Sequence, residues 1–143
     1  MRGQLALDLR VFGWTESVQE LMGAADLLIT RPGGLVTSEA MAAGLPMILG
    51  FPAPGMEEAH LSFLLERNLA VAAKSAGEIA RLVSALLDDP SHLEALSACG
   101  REMARPDAAY AVAQVARALL EKASYIDLLA APLPASGESA YLM

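Results

Sequence analysis

The residues with the most chemical content lie together, in Arg31-Pro32-Gly33-Gly34-Leu35-Val36-Thr37-Ser38-Glu39-Ala40. They follow an apolar run of strand length, Leu27-Leu28-Ile29, and open an Ala-rich helical segment. A strand that turns through glycines into a helix leaves backbone N–H groups unpaired at the positive end of a helix dipole, which is a setting for an anion. Gly33 and Gly34 allow a ligand to approach the backbone with no Cβ in the way. A branched side chain at Gly34 is expected to block that approach and to resist a positive φ. Thr37 and Ser38 carry hydroxyls that can donate to phosphate oxygens, and Glu39 can accept from paired sugar hydroxyls. Donors and a carboxylate so placed suit a nucleotide with a diphosphate and a ribose. The same pattern also serves as an ordinary strand–turn–helix junction, so spacing alone leaves both readings open. It is neither the dinucleotide fingerprint, lacking G-x-G-x-x-G, nor a P-loop, lacking a closing G-K-[ST].

Those residues need elements to hold them, and the composition supports a core. With 143 residues the chain is one domain or part of one, and 55% hydrophobic residues are enough to bury an interior. A net charge of −7 argues against a nucleic-acid surface and against a purely electrostatic hold on anionic lipid. Cys99 is the single cysteine, so it reads as a small core residue in a reducing compartment, with neither a disulfide nor a thiolate metal site. No apolar run reaches the length of a membrane span, and no signal-peptide core follows Met1-Arg2-Gly3-Gln4.

Periodicity predicts alternating strands and helices up to about residue 88. Residues 9–12 form a short strand ending at Gly13, and Thr15 caps a helix with Val18, Leu21, Met22 and Ala25 on its apolar face. Leu27-Leu28-Ile29 is the next strand, and the helix after the glycine turn stops at Gly44. Pro46-Met47-Ile48-Leu49 is a third strand, too uniformly apolar for a sheet wet on one side. Residues 50–55 are a loop, residues 57–67 a helix with Leu61, Leu64 and Leu65 inward, and residues 70–73 a fourth strand. Ser75-x-x-Glu78 is a capping box opening a helix with Ile79, Leu82, Val83, Leu86 and Leu87 on one face. Asp89-Pro90-Ser91 breaks it and starts another with Leu93 and Leu96; the cluster Asp88-Asp89-Pro90 is a helix stop rather than a metal site. Arg105-Pro106-Asp107 precedes a last helix carrying Val112, Val115, Ala116 and Leu119. From about Ser124 the prolines and the lost period predict a poorly ordered tail. The fold class is therefore α/β, a partial doubly wound parallel sheet with a helical C-terminal end. Ligands of such a fold bind beyond the carboxyl ends of the strands.

Val11-Phe12-Gly13-Trp14, the block from Asp26 to Ala43 with its Pro-Gly-Gly-x-x-x-Ser-Glu-Ala core, and the loop Pro52-x-Pro54-Gly55-x-Glu57-Glu58 carry a resemblance. In order and spacing, and with Arg105-Pro106-Asp107-Ala108 behind them, they resemble the nucleotide-sugar-binding half of a GT-B glycosyltransferase. The nearest likeness is to the group of processive diacylglycerol glucosyltransferases, monogalactosyldiacylglycerol synthases and the peptidoglycan N-acetylglucosaminyltransferase. The resemblance implies that Phe12 and Gly13 present backbone groups to a uracil, with Met22 or Trp14 as apolar cover. It implies that Gly33, Gly34, Leu35, Thr37 and Ser38 cradle the diphosphate and that Glu39 bridges the ribose hydroxyls. Glu57 and Glu58 would reach the transferred sugar, although as acidic residues at a helix start they also complement its dipole. Phe12 and Met22 read equally as core, and Trp14 as a packed rim aromatic. His60 and His92 read as surface helix residues. Met56 and His60 stand where this group usually has glutamine and asparagine, which bears on the identity of the donated sugar.

The same resemblance implies an inverting hexosyltransferase that uses a UDP-sugar as donor substrate, needs no cofactor or metal, and glycosylates a diacylglycerol-type lipid acceptor. The acceptor would be bound by an N-terminal domain absent here, with the full-length protein cytoplasmic and peripheral to the inner face of the plasma membrane. Residues 1–123 are then an incomplete nucleotide-sugar-binding domain and 124–143 the tail. In the strand order 3-2-1-4-5-6 the strand at residues 9–11 lacks the neighbours that would join it to the strand at residues 27–29. The chain is accordingly expected to be a fragment, inactive alone, with exposed strand edges that favour self-association. Two alternatives remain at this point: a UDP-sugar 2-epimerase fragment, and a non-enzymatic nucleotide-binding or interaction module.

Overall fold

The computed structural model describes residues 8–120. The predicted tail at 124–143 lies outside them. The chain divides into two units, one running through Ala104 and one from Arg105 onward.

The first unit holds α1 (Val18–Ala24), β1 (Leu28–Thr30), α2 (Gly34–Ala43), β2 (Met47–Gly50), α3 (Met56–Glu66), β3 (Val71–Ala73), α4 (Ala76–Leu87) and α5 (Pro90–Met103). The strands form a parallel sheet in the order β1-β2-β3, with Ile29 opposite Ile48 and Leu49 opposite Ala72. Every residue of β2 is buried, as its continuous apolar sequence demands. Its alternation divides the interior in two. Met47 and Leu49 enter one cluster with Met22, Ala40, Met41, Leu64 and Leu69. Ile48 points the other way, to Ala73, Leu86 and Leu96. The sheet is thus covered on both faces.

Turn chemistry sets the element ends. Gly44 sits at φ 66 after α2, its N–H bonding Met41 O while the Leu45 N–H bonds Ala40 O at 2.8 Å, a Schellman motif. Asn68, at φ 54, closes α3 in the same way, with the Leu69 N–H on Leu64 O. The predicted capping box is half made. Ser75 Oγ accepts from the Glu78 N–H, but the Glu78 carboxylate takes the Lys74 N–H one residue earlier. Asp89 caps α5 by accepting from the His92 N–H, with Pro90 at the first helical position.

Two sequence expectations fail. Residues 9–12 form no strand, and Leu9, Val11 and Phe12 are exposed. A strand is held by pairing, and β1 bonds only β2 among the described residues, so nothing recruits this segment to the sheet. Thr15 is not the cap of α1. Its Oγ1 accepts from the Ser17 N–H ahead of the helix, and of the expected apolar face only Met22 is buried. Within the second unit, α6 (Ala108–Leu120) leaves Val112 and Leu119 open to solvent, and its buried residue is Ala118. The expected helix with its apolar stripe is present there, and of that stripe only Val115 is half-buried.

Candidate functional site

β1 ends at Thr30, and the chain reaches α2 through Arg31, Pro32 and Gly33. Pro32 is buried, and its carbonyl accepts from His60 Nδ1 at 2.9 Å. A carbonyl only accepts, so Nδ1 carries the proton in this contact. Gly33 is the N-cap at φ −75, and Gly34 begins the helix. Neither glycine has a positive φ, which corrects the expected reason for resisting a branched residue at Gly34. The space beside Gly34 is open instead, because a Cβ built there meets nothing within 4 Å. The first-turn N–H groups of Gly34, Leu35 and Val36 have no intrahelical acceptor, and no acidic residue of that turn neutralises the dipole.

The residues expected to face a ligand separate into two sets. Leu35, Ser38 and Glu39 are all exposed and lie three and four positions apart, so they share one face of α2. Ser38 Oγ donates to Gly34 O at 2.8 Å in a local bond that a stronger acceptor can replace. Thr37 belongs to the other set. It is fully buried and its hydroxyl donates to Gly33 O at 2.8 Å, so it shapes the turn from beneath. Met22 is likewise a core residue, packed with Ala40 and Met41. Phe12 and Trp14 are solvent-exposed, Trp14 at 94%, so Trp14 is not a packed rim aromatic and Phe12 is not a core residue. No hydrogen bond among the described residues joins residues 12–14 to the α2 turn.

The second loop at this edge follows β2. Phe51 takes a left-handed φ of 52 immediately after the sheet, a conformation that is costly for a residue with a large side chain. Arg31, Phe51, Ile29 and Ile79 line a shallow depression of 330 Å³ at the carboxyl ends of β1 and β2. At the start of α3, Glu58 accepts from the Gly55 N–H at 3.1 Å, half of a capping box whose cap residue has no side chain of its own. Glu57 Oε2 accepts from the Ala53 N–H at 2.6 Å and from Arg31 Nε and NH2 at 3.2 and 3.1 Å. The Ala53 N–H, and after it the Arg31 guanidinium, hold the Glu57 carboxyl below its usual range against partial desolvation. Both glutamates therefore have partners inside the protein, and Met56 beside them is exposed. Arg31, Phe51 and the tethering role of His60 were not singled out from sequence. The available signal was position, because Arg31 and Phe51 each directly follow a strand at the carboxyl edge. Among the described residues no cluster of three or more His, Cys, Asp or Glu could hold a metal, and no helix is long and apolar enough to cross a membrane.

A parallel sheet covered on both faces, with an open helix N-terminus at its carboxyl edge, defines a Rossmann-like α/β protein. The family model described as glycosyl transferases group 1 matches residues 4–103, and the chain belongs to that family. It is 41% identical over 85 residues to a processive diacylglycerol beta-glucosyltransferase of Bacillus licheniformis, covering 59% of this chain and 22% of that one. The corresponding enzyme of Bacillus subtilis is 39% identical over the same length. A UDP-N-acetylglucosamine–N-acetylmuramyl-(pentapeptide) pyrophosphoryl-undecaprenol N-acetylglucosamine transferase of Methylococcus capsulatus is 41% identical over 120 residues, 78% of this chain and 34% of that one. The chain thus spans between about a fifth and about a third of the length of these relatives.

Proposed function

We propose that this chain is the donor-binding portion of an inverting UDP-sugar glycosyltransferase that transfers a hexose to a diacylglycerol-type lipid. The observation that carries the reading is the start of α2. Unpaired N–H groups, an open approach at Gly34, and Leu35, Ser38 and Glu39 on one exposed face lie together at the carboxyl edge of the sheet. The backbone N–H groups and the dipole meet a diphosphate, and they stabilise the charge that grows on it as it leaves the anomeric carbon. Glu39 bridges two ribose hydroxyls, and residues 12–14 meet the base. The named substrates of the relatives support the choice of acceptor: one acts on diacylglycerol and another on a lipid-linked pyrophosphate.

None of the described residues at this edge is placed as a general base for the acceptor hydroxyl. His60 Nδ1 is engaged by Pro32 O, and the Ala53 N–H and the Arg31 guanidinium lower the pKa of Glu57, which makes its carboxylate a weaker base. Transfer requires the acceptor and its base to be held within reach of the anomeric carbon, and such positioning supplies much of the rate. We place those groups in a segment outside this sequence. Purified alone, the chain is expected to show no transfer from any UDP-hexose. Supplied with the acceptor-binding region of a relative, fused or as a separate chain, it should glycosylate diacylglycerol. Turnover by the chain alone would contradict this division of labour.

A further inference from the structure

The Arg31–Glu57 pair stands apart from the other ion pairs described. Arg10–Asp8, Arg67–Glu66 and Arg101–Glu94 are local, whereas Arg31 and Glu57 are 26 residues apart and join the β1–α2 turn to the start of α3. Its geometry is lopsided. All three donors, Arg31 Nε, Arg31 NH2 and the Ala53 N–H, converge on Oε2 of Glu57. The second carboxylate oxygen, Oε1, has no hydrogen bond among the described residues, and the side chain keeps 28% of its surface exposed. Three donors on Oε2 restrict the torsions of the Glu57 side chain and leave Oε1 as the open acceptor of the carboxylate.

The mount of Arg31 is stiff as well. Thr30 before it is paired in the sheet with Leu49. Pro32 after it is buried, is tethered by His60, and restricts the backbone of Arg31 to extended conformations. The guanidinium thus starts from a fixed point and meets a carboxylate on a different element.

We propose that Arg31 is a positioning residue for sugar recognition: by holding Oε2 of Glu57, it presents Oε1 to the hydroxyls of the transferred hexose. This rests on the donor-binding reading, and it assigns Arg31 to the sugar rather than to the diphosphate. The lowered pKa of the carboxyl is consistent with it, since an ionised Glu57 is the form that accepts from hydroxyls. The groups that meet the Glu57 carboxylate are the Ala53 N–H from the loop before α3 and the Arg31 guanidinium from the β1–α2 turn.

The test compares UDP with UDP-glucose and UDP-N-acetylglucosamine by titration calorimetry on the full chain, with melting temperatures as a control for folding. Arg31→Met should weaken whichever UDP-sugar binds by about tenfold, one charged hydrogen bond's worth, and leave UDP within about twofold. Arg31→Lys, which keeps a cation and a donor, should recover most of that loss. Equal weakening of UDP and the UDP-sugars would place Arg31 on the diphosphate and overturn the proposal. So would unchanged affinity for both ligands in a folded Arg31→Met variant. If the unmutated chain binds UDP no better than buffer, the donor-binding reading itself fails, and the proposal falls with it. If it binds UDP but gains nothing from an attached hexose, only the proposal fails.

Discussion

Replacing Gly34 by valine separates a ligand-approach glycine from a structural one. The residue opens α2 without a positive φ, and a Cβ there meets no atom within 4 Å. Folding should therefore tolerate the change. Removing glycine from a helix is worth roughly 0.5–1 kcal/mol in favour of the folded state, and valine's stiffness returns part of that. The melting temperature is expected to stay level or rise slightly. Binding should respond in the opposite sense, because the branched side chain fills the space through which a diphosphate reaches the Gly34 and Leu35 N–H groups. Losing two charge-assisted hydrogen bonds, at about 1.5 kcal/mol each, weakens UDP by roughly 100-fold. Gly34→Ala should fall between. Calorimetry with UDP, alongside thermal melts of the three proteins, reads both quantities. Valine at this position with full UDP affinity would refute the approach argument. A parallel fall in stability and binding would make Gly34 a turn residue and no more.

Gly44→Ala should destabilise the first unit by about 1–2 kcal/mol, because an L-residue at φ 66 is strained and its Cβ would meet the Arg101 side chain at 2.8–3.2 Å. Chemical denaturation measures this, and an unchanged midpoint would show that the Schellman turn after α2 does not limit stability. Asp89 accepts from the Ser91 hydroxyl and the His92 N–H, which lower its pKa. A depressed folded-state pKa contributes stability that is full above the unfolded value and is lost as pH falls through the folded one. The melting-temperature advantage of the unmutated chain over Asp89→Ala should accordingly hold at neutral pH and shrink in acid below the usual carboxylate range. An advantage that is flat with pH would remove the charge from the cap.

Much of this was legible in the sequence, for identifiable physical reasons. Local signals worked well: Gly44 as a helix stop, Asp89-Pro90 as a helix start, and Pro46-Met47-Ile48-Leu49 as a strand covered on both faces, found at Met47–Gly50. The predicted strand at residues 9–12 failed because a strand is a property of its neighbours, and none of the described strands pairs with that segment. The stripe Val112, Val115, Ala116 and Leu119 has a helical period, but a period does not say which face is covered. At the candidate site, the sequence reading grouped Leu35, Thr37 and Ser38 together and did not separate the exposed face of Leu35, Ser38 and Glu39. It could not show that Thr37, one position from Ser38, turns inward to Gly33 O. Arg31 and Glu57 lie 26 residues apart, beyond any periodic argument, and their contact emerges only when the β1–α2 turn meets the start of α3.

Titration of UDP into the unmutated chain and into Glu39→Ala decides whether the exposed face of α2, at the carboxyl edge of the sheet, holds the nucleotide. Glu39 is exposed beside Leu35 and Ser38, so its replacement should leave the fold and melting temperature unchanged. The unmutated chain should give measurable heat, and removing the carboxylate, one partner of a charged hydrogen bond, should cost about 1–3 kcal/mol of binding. Absence of heat and of any thermal shift at millimolar UDP, or equal affinity in a folded Glu39→Ala variant, would contradict UDP binding there.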